Sequence, residues 1–116
     1  MPQFGAVQTP TTLSPGEKLT VLNNENLANG ALTMAVSITP QATTVILAVY
    51  NNSGQSVTLC ASPDFIAVDY LPVTDTAGVA VAVAAGTVVL CEVAAGLQYA
   101  VKAGGAVTGG TIWLAR

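Results

Sequence analysis

The chain has 116 residues, of which 52% are hydrophobic and only 8% are charged, and it contains no histidine. This length predicts one domain, and a charged fraction far below the usual value of about 25% indicates that much of the surface contacts protein rather than water. The three cations, Lys18, Lys102 and Arg116, are scattered along the chain, which excludes nucleic-acid binding because phosphate contacts require clustered Lys and Arg.

Residues 1–16 predict an extended N-terminal arm, ahead of a single β-sandwich domain at residues 17–116. The arm contains three prolines, each of which removes a backbone donor and disfavours regular structure. Phe4, Val7 and Leu13 are the apolar side chains that it would bury against a neighbouring subunit. A terminus that stays flexible in the free protein is the alternative interpretation.

From residue 17 onward, short apolar runs alternate with turns that contain Asn, Gly or Pro, and helical periodicity is absent. The runs that predict strands are 17–22, 31–38, 44–50, 55–60, 65–71, 79–83, 87–93, 97–103 and 111–115. Eight or nine short strands at a spacing of about 8–12 residues predict an all-β fold. We expect an antiparallel β-sandwich that is jelly-roll-like, with another Greek-key sandwich as the alternative.

Four segments have patterns that bear on this fold. Residues 31–38 alternate most regularly between large apolar and small or polar side chains, which predicts a half-buried strand. Residues 23–26, which read Asn-Asn-Glu-Asn, predict a loop. The glycine-rich residues 104–110 predict a flexible connection, because they lack the Lys-Ser/Thr ending of a phosphate-binding loop. Residues 77–101 carry a single charge, Glu92, but their glycines and their alternation predict strands rather than a membrane helix.

Two of the predicted strands, 44–50 and 87–93, are apolar on both faces. A strand of this kind is either central in the fold or covered on its outer side by another chain. Because homo-oligomer interfaces are more apolar than ordinary surface, we expect these two strands to form a self-interface. The residues predicted for it are Val45, Ile46, Ala48, Tyr50, Val88 and Leu90.

The chain has two cysteines, Cys60 and Cys91, and both are expected to be reduced and buried. A disulfide between them is the alternative interpretation. Residues 1–5 have neither a basic segment nor an apolar core, which indicates synthesis in the cytoplasm. A zinc site is not expected, since two thiols without histidine do not complete the usual ligand set.

The remaining polar and aromatic side chains do not predict catalysis. A nucleophile needs a neighbouring base, and because the chain has no histidine we expect neither an enzyme nor a cofactor. The closest carboxylates are Asp64, Asp69 and Asp75, which are typical of turns, with a calcium site as the alternative. The aromatic residues with a polar group are Tyr50, Tyr70, Tyr99 and Trp113. They predict core and interface packing, with a sugar-stacking platform as the alternative.

Taken together, several of these features resemble the small decoration, or cement, proteins of tailed-phage heads. They are the proline-rich arm, the strand and turn from Thr44 to Gly54, the Ala-Ala-Gly turns at 84–86 and 94–96, and the low charge. The resemblance implies β-sandwich or jelly-roll subunits, commonly trimers, that lie on the outer capsid lattice. Such subunits stabilise the shell against the pressure of the packaged DNA.

The resemblance therefore implies a structural virion protein on the outer capsid surface, made in the host cytoplasm. Its partners would be itself, as a homotrimer, and the major capsid protein, with no nucleic acid and no membrane. The arm, through Phe4, Val7 and Leu13, would contact the capsid. Two alternatives stay open, which are a carbohydrate- or receptor-binding β-sandwich module and a subunit of a phage tail or baseplate.

Overall fold

The computed structural model describes residues 11–38, 44–63, 70–75 and 77–116, and these residues form ten β-strands. The strands are β1 (Thr11–Leu13), β2 (Lys18–Leu27), β3 (Val36–Ile38), β4 (Thr44–Asn52), β5 (Val57–Ser62), β6 (Leu71–Pro72), β7 (Ala82–Val83), β8 (Thr87–Ala94), β9 (Gln98–Ala103) and β10 (Val107–Ala115). Over these ranges, the chain contains no helix of the length and apolar character needed to cross a membrane.

The strands form two sheets that pack face to face. The large sheet has the order β1-β3-β9-β5-β6, with β7 also paired to β5, and the small sheet has the order β2-β10-β4-β8. The described pairs are antiparallel except that of β1 with β3. From β2 to β5 and again from β7 to β10, successive strands alternate between the sheets. This is the strand order of a jelly roll with β1 added at one edge, and it confirms the predicted fold class.

The main core lies between the two sheets and consists of alternate residues of the long strands. Its members with at most 1% exposure include Leu47, Val49, Ile112 and Leu114 of the small sheet and Val57, Leu59, Tyr99 and Val101 of the large sheet. Successive side chains of a strand point to opposite faces. The residues that alternate with these core positions must therefore meet either solvent or a second layer.

On the large sheet, a second and smaller cluster provides that layer. Cys60 and Ala100 are paired neighbours on β5 and β9, and they point away from the small sheet because the adjacent Leu59 and Val101 belong to the main core. The residues that pack with them are Leu32, Ala35 and Tyr70. The centre of the large sheet is thus covered on both faces by its own chain.

The segment predicted as one strand at 31–38 pairs regularly only over β3. The Thr33 amide donates to the Val101 carbonyl at 2.9 Å, and Thr33 Oγ1 accepts a hydrogen bond from the Val101 amide at 3.1 Å. A side-chain hydroxyl thus replaces a backbone acceptor and interrupts the ladder. Thr33 and Ala35 are also buried, at 0% and 1% exposure, so the predicted alternation between a buried and a solvent face is wrong here.

Two segments predicted to be irregular lie inside strands. Residues 23–26, predicted as a loop, belong to β2, and Gly109 and Gly110, predicted as part of a flexible connection, belong to β10. The two strands pair through three register shifts. There Asn24 has a positive φ of 51°, and the Gly109 amide donates to Asn26 Oδ1 at 2.9 Å. The Asn and Gly residues thus provide the geometry of β-bulges rather than of turns.

The N-terminal boundary also differs from the prediction. Leu13, at the end of β1, is only 1% exposed and belongs to the main core. The Arg116 guanidinium donates a hydrogen bond to the Leu13 carbonyl at 2.9 Å. Leu13 is therefore a core residue, which corrects its assignment to the arm. Phe4 and Val7, the other two predicted arm contacts, lie outside the described residues.

Two predicted strands correspond to short pairings in the part of the chain that the structure describes. Of the segment 65–71, residues 65–69 lie outside the described residues, and Leu71 pairs with Ala61 in β6. Of the segment 79–83, only β7 forms a strand, although Ala80 also makes an isolated bridge to Thr74. The chain between β6 and β7 therefore folds back on itself beside the large sheet.

Candidate functional site

The small sheet has an outer face, turned away from the large sheet. Its central strand β4 and edge strand β8 pair through eight consecutive residues without a register shift. The pairs on the outer face place Ile46 opposite Glu92, Ala48 opposite Leu90 and Tyr50 opposite Val88. Because residues directly opposite each other point to the same side of a sheet, these six side chains form two adjacent rows.

The outer face carries large apolar side chains in contact with solvent. Ile46 is 56% exposed, Val88 50% and Leu90 69%. In the described ranges, the other exposed large apolar side chains are Leu71 and Val79, at 68% and 60%. Soluble monomers rarely expose large contiguous apolar patches, and patches of this kind commonly mark protein contact sites. The outer face is therefore the strongest candidate for an interaction surface.

Two aromatic rings extend this apolar area onto β10. Trp113 pairs with Tyr50 across the strands, and the two rings are stacked with centroids 4.4 Å apart and planes 5° apart. Adjacent strands lie about 4.8 Å apart, so rings at this separation stand upright on the sheet. Lys18 Nζ lies 5.1 Å from the Trp113 ring centroid on the side of β2. Both faces of the indole are thus occupied within the protein.

The four aromatic residues considered as a sugar platform do not come together. Tyr99 is 1% exposed in the main core, and Tyr70 is 3% exposed in the second cluster. Only Tyr50 and Trp113 reach the outer face, where they stack on each other. A sugar needs the open face of a ring, so this arrangement favours packing against another protein surface.

Charge is confined to the margins of the outer face. Lys18 lies on β2 and Glu92 on β8, which are the two edge strands of the small sheet. The Thr44 hydroxyl donates a hydrogen bond to Glu92 Oε2 at 3.3 Å. An apolar centre with a charged margin is the usual anatomy of a protein–protein interface, in which the core excludes charge and the rim is polar.

The structure places five of the six predicted interface residues on this face. Val45 is the exception, because it pairs with the buried Val93 and packs against the main core. Since Val45 is adjacent to Ile46, it must point to the opposite side of the strand. The assignment of Val45 to the interface is therefore wrong.

Trp113 and Lys18 belong to the same face, although the sequence did not assign them to the interface. The sequence does indicate the orientation of Trp113, because the apolar residues Ile112 and Leu114 flank it on β10. Both flanking residues are buried at 0% exposure. The sequence pattern shows that Trp113 faces away from the core, but not that β10 lies between β2 and β4. That adjacency joins strands far apart in the chain.

The two cysteines lie in different sheets and are both free thiols. Cys60 is 0% exposed in the second cluster, on the side of the large sheet that faces away from Cys91. The Cys91 thiol donates to the Leu47 carbonyl at 3.5 Å. Burial raises the pKa of both thiols above the usual value. Both thiols are free, as predicted, but only Cys60 is fully buried, since Cys91 is partly exposed; the disulfide alternative is wrong.

The buried Tyr99 hydroxyl predicts how stability changes at alkaline pH. It donates to the Ala94 carbonyl at 2.5 Å, and burial, with a smaller contribution from Cys91, raises the pKa of Tyr99 to about 12. The folded state therefore holds this proton more tightly than the unfolded state, so its contribution is complete below pH 10 and is lost as the pH approaches about 12. The loss is expected to be about 2–3 kcal/mol.

Urea unfolding at a series of pH values measures this effect. Tyr99→Phe is expected to lower the free energy of unfolding at neutral pH and to flatten its decline above pH 10. The two thiols titrate in both proteins, so the difference between the wild type and the variant isolates Tyr99. Equal declines in the two proteins would show that the tyrosine does not contribute.

Of the three carboxylates considered as a calcium site, the structure describes one. Asp75 Oδ1 accepts hydrogen bonds from the Ala77 amide at 2.9 Å and the Val79 amide at 3.0 Å. This is the turn role that the sequence predicts for Asp75. Asp64 and Asp69 lie outside the described residues, so the calcium alternative stays a prediction.

Comparison with known proteins found no match for this chain among protein-family models, curated proteins or solved structures.

Proposed function

We propose that this protein is a structural virion subunit that decorates a tailed-phage head and stabilises its icosahedral shell. The single observation that carries the proposal is the exposed apolar outer face of the small sheet. The chain covers both faces at the centre of its large sheet but leaves Ile46, Val88 and Leu90 of the small sheet at least half exposed. An assembly subunit accounts for this difference, because a second protein surface would complete the burial.

The outer face is proposed to join copies of this chain into a homotrimer. Its centre is apolar and its aromatic pair is held rigid by stacking, so little conformational entropy is lost when it is covered. A trimer that buries this face would also remove apolar surface from water in a chain with only 8% charged residues.

The second proposed partner is the major capsid protein, on the outer surface of the virion. Phe4 and Val7 of the predicted arm are proposed to make this contact, whereas Leu13 belongs to β1 and to the main core. The proposed role is mechanical rather than enzymatic, with synthesis in the host cytoplasm and no cofactor. The stacking of Tyr50 on Trp113 makes a carbohydrate-binding module the weaker alternative.

A matched pair of substitutions tests the self-interface. Leu90 and Leu71 are 69% and 68% exposed but lie on different sheets. Leu90→Asp is expected to convert a trimer into monomers of 11.6 kDa in light scattering, because it places a charge among the exposed apolar side chains of the outer face. Leu71→Asp introduces the same change and is expected to leave the trimer intact. The proposed interface is wrong if the two variants have the same mass distribution, and circular dichroism confirms that both remain folded.

Binding to assembled shells tests the proposed role itself. The wild-type protein is expected to co-sediment with icosahedral heads built from the major capsid protein of the same genome, and to raise their resistance to heat. Tails or baseplates of the same phage serve as the comparison. Binding to tails alone would establish the tail-subunit alternative, and binding to neither would reject a virion role.

A further inference from the structure

The two edges of the small sheet are built differently. β2 pairs with β10 through three register shifts and has a residue with positive φ at Asn24. Bulges of this kind twist an edge strand and hinder its pairing with other chains. β8 at the opposite edge pairs regularly with β4 over all eight residues. The β2 edge is therefore protected by its geometry from pairing with other chains. The β8 edge keeps the regular form of a strand that can pair with another strand.

The composition of β8 gives no protection either. Its sequence is Thr-Val-Val-Leu-Cys-Glu-Val-Ala, which contains no proline, lysine or glycine and is rich in β-branched residues. Edge strands in soluble proteins usually carry Lys or Pro, or are very short, so that their free backbone groups do not recruit other strands. A long, regular and almost uncharged edge is a template for adding a strand.

A groove of about 370 Å³ runs beside this edge. One wall consists of Leu90, Cys91 and Glu92 of β8, and the other consists of Val73, Thr74, Asp75 and Val81. The second wall is itself held by backbone hydrogen bonds, from the Val81 amide to the Val73 carbonyl at 2.8 Å and from the Asp75 amide to the Val79 carbonyl at 2.8 Å. The groove thus places a wall held by backbone hydrogen bonds, with Val73 and Val81 as its apolar residues, alongside a strand edge.

The charge of the groove indicates the chemistry of its occupant. Asp75 and Glu92 are both acidic, and the residues described along the groove include no Lys or Arg. The Asp75 carboxylate is fixed by the hydrogen bonds that it accepts from the Ala77 and Val79 amides. An extended segment that enters here would place apolar side chains against Val73 and Val81 and would be favoured by a basic side chain near the two carboxylates.

We propose that the edge of β8 that faces away from β4, which pairs with no other strand in the described parts of the chain, binds an extended segment of a partner protein as a fifth strand of the small sheet. The segment alternates apolar and basic side chains, and its backbone pairs with that edge. The inference rests on the proposed function only for the identity of the partner: in a decoration protein, the partner is the shell protein. The binding of a strand at this edge is testable on the isolated protein.

The probe is an acetylated and amidated heptapeptide of sequence Val-Lys-Val-Thr-Val-Lys-Val, titrated into the full-length protein by calorimetry and NMR. Binding is expected to shift the backbone amides of residues 87–94 and to slow their hydrogen exchange. A peptide with Glu in place of Lys, and one N-methylated on alternate residues, are expected not to bind. The first lacks the complementary charge, and the second cannot complete the strand ladder.

Substitutions in the protein locate the site. Asp75→Asn keeps an oxygen that can accept from the Ala77 and Val79 amides but removes the charge, and it is expected to weaken binding of the lysine peptide by about threefold to fivefold. Glu25→Gln removes one charge from β2 at the opposite edge and is expected to leave the affinity unchanged.

Two results would overturn the proposal. They are equal binding of the N-methylated peptide and a response of β2 amides instead of β8 amides. Shell binding by a protein that fails to bind the peptide would reject the strand-addition proposal and leave the decoration role intact.

Discussion

Asn51→Ala is expected to lower the free energy of unfolding by about 3 kcal/mol, because it removes a buried polar link between the two sheets. Asn51 is 1% exposed on β4 of the small sheet. Its Nδ2 donates to the carbonyl of Val83, on β7 of the large sheet, at 2.9 Å and to the Gln55 carbonyl at 2.7 Å. Its Oδ1 accepts from the Ser53 amide at 3.1 Å and the Ser53 hydroxyl at 2.6 Å.

The expected size follows from what the substitution leaves behind. An amide has two N–H donors and an acceptor oxygen, and Asn51 uses all of them within the protein. Alanine leaves the Val83 carbonyl and the Ser53 amide without their Asn51 partners, and each buried polar group left unpaired costs about 1–3 kcal/mol. The substitution also detaches the turn at Ser53 from β4, so the end of the small sheet should loosen.

Urea unfolding measures the stability of Asn51→Ala, and Asn52→Ala serves as the control. Asn52 is the next residue of β4 and is exposed, so its substitution is expected to change stability by less than about 0.5 kcal/mol. Asn51→Asp provides a second check. Its carboxylate would face two carbonyl oxygens at neutral pH, so we expect this variant to be destabilised there and to regain stability when the carboxylate is protonated. Equal stability of the two alanine variants would show that the buried amide does not join the sheets.

Gly110→Ala is expected to destabilise the protein by about 2–3 kcal/mol through overpacking. A Cβ at this position would lie 2.5 Å from Val107 Cγ1, 2.8 Å from Ser53 Cα and 2.9 Å from Ser53 Cβ. Two of these atoms belong to the residue that binds the Asn51 side chain. The added methyl group must therefore displace the turn and weaken its hydrogen bonds to Asn51.

Gly105→Ala is the matched control for this prediction. There the closest atoms to a new Cβ belong to the end of the Gln55 side chain, which can rotate away at little cost. Thermal or urea unfolding should therefore show a large loss for Gly110→Ala and a small one for Gly105→Ala. A small loss for both would mean that the Ser53 turn can move without cost.

The jelly-roll architecture could be predicted because the hydropathy pattern of several strands indicates which of their faces are covered. The runs 44–50 and 87–93 are apolar on both faces, and they form the adjacent strands β4 and β8. The segments that were predicted wrongly depend on single side chains that change backbone pairing. Thr33 substitutes a hydroxyl for a carbonyl acceptor, and Asn24 adopts a positive φ within a bulge. Neither role is specified by hydropathy or by turn propensity.

The candidate site was predictable to the extent that it depends on alternation within one strand. Period two places Ile46, Ala48 and Tyr50 on one side, and these residues do share the outer face. Trp113 was not assigned to that face, because its position depends on β10 pairing with β4. The groove beside β8 depends on the segment between β6 and β7, which includes Asp75, and the sequence gives no local indication that this segment lies near β8.

The pairing of β2 with β10 has a consequence for biosynthesis. Leu27 pairs with Val107, so the first strand of the small sheet cannot find its partner until nearly all of the intervening chain has been made. Pairings of such long range form slowly. Trp113 lies on the same late strand, so an unfinished chain cannot present the complete outer face. The proposed association of copies through this face would therefore have to wait until synthesis reaches β10.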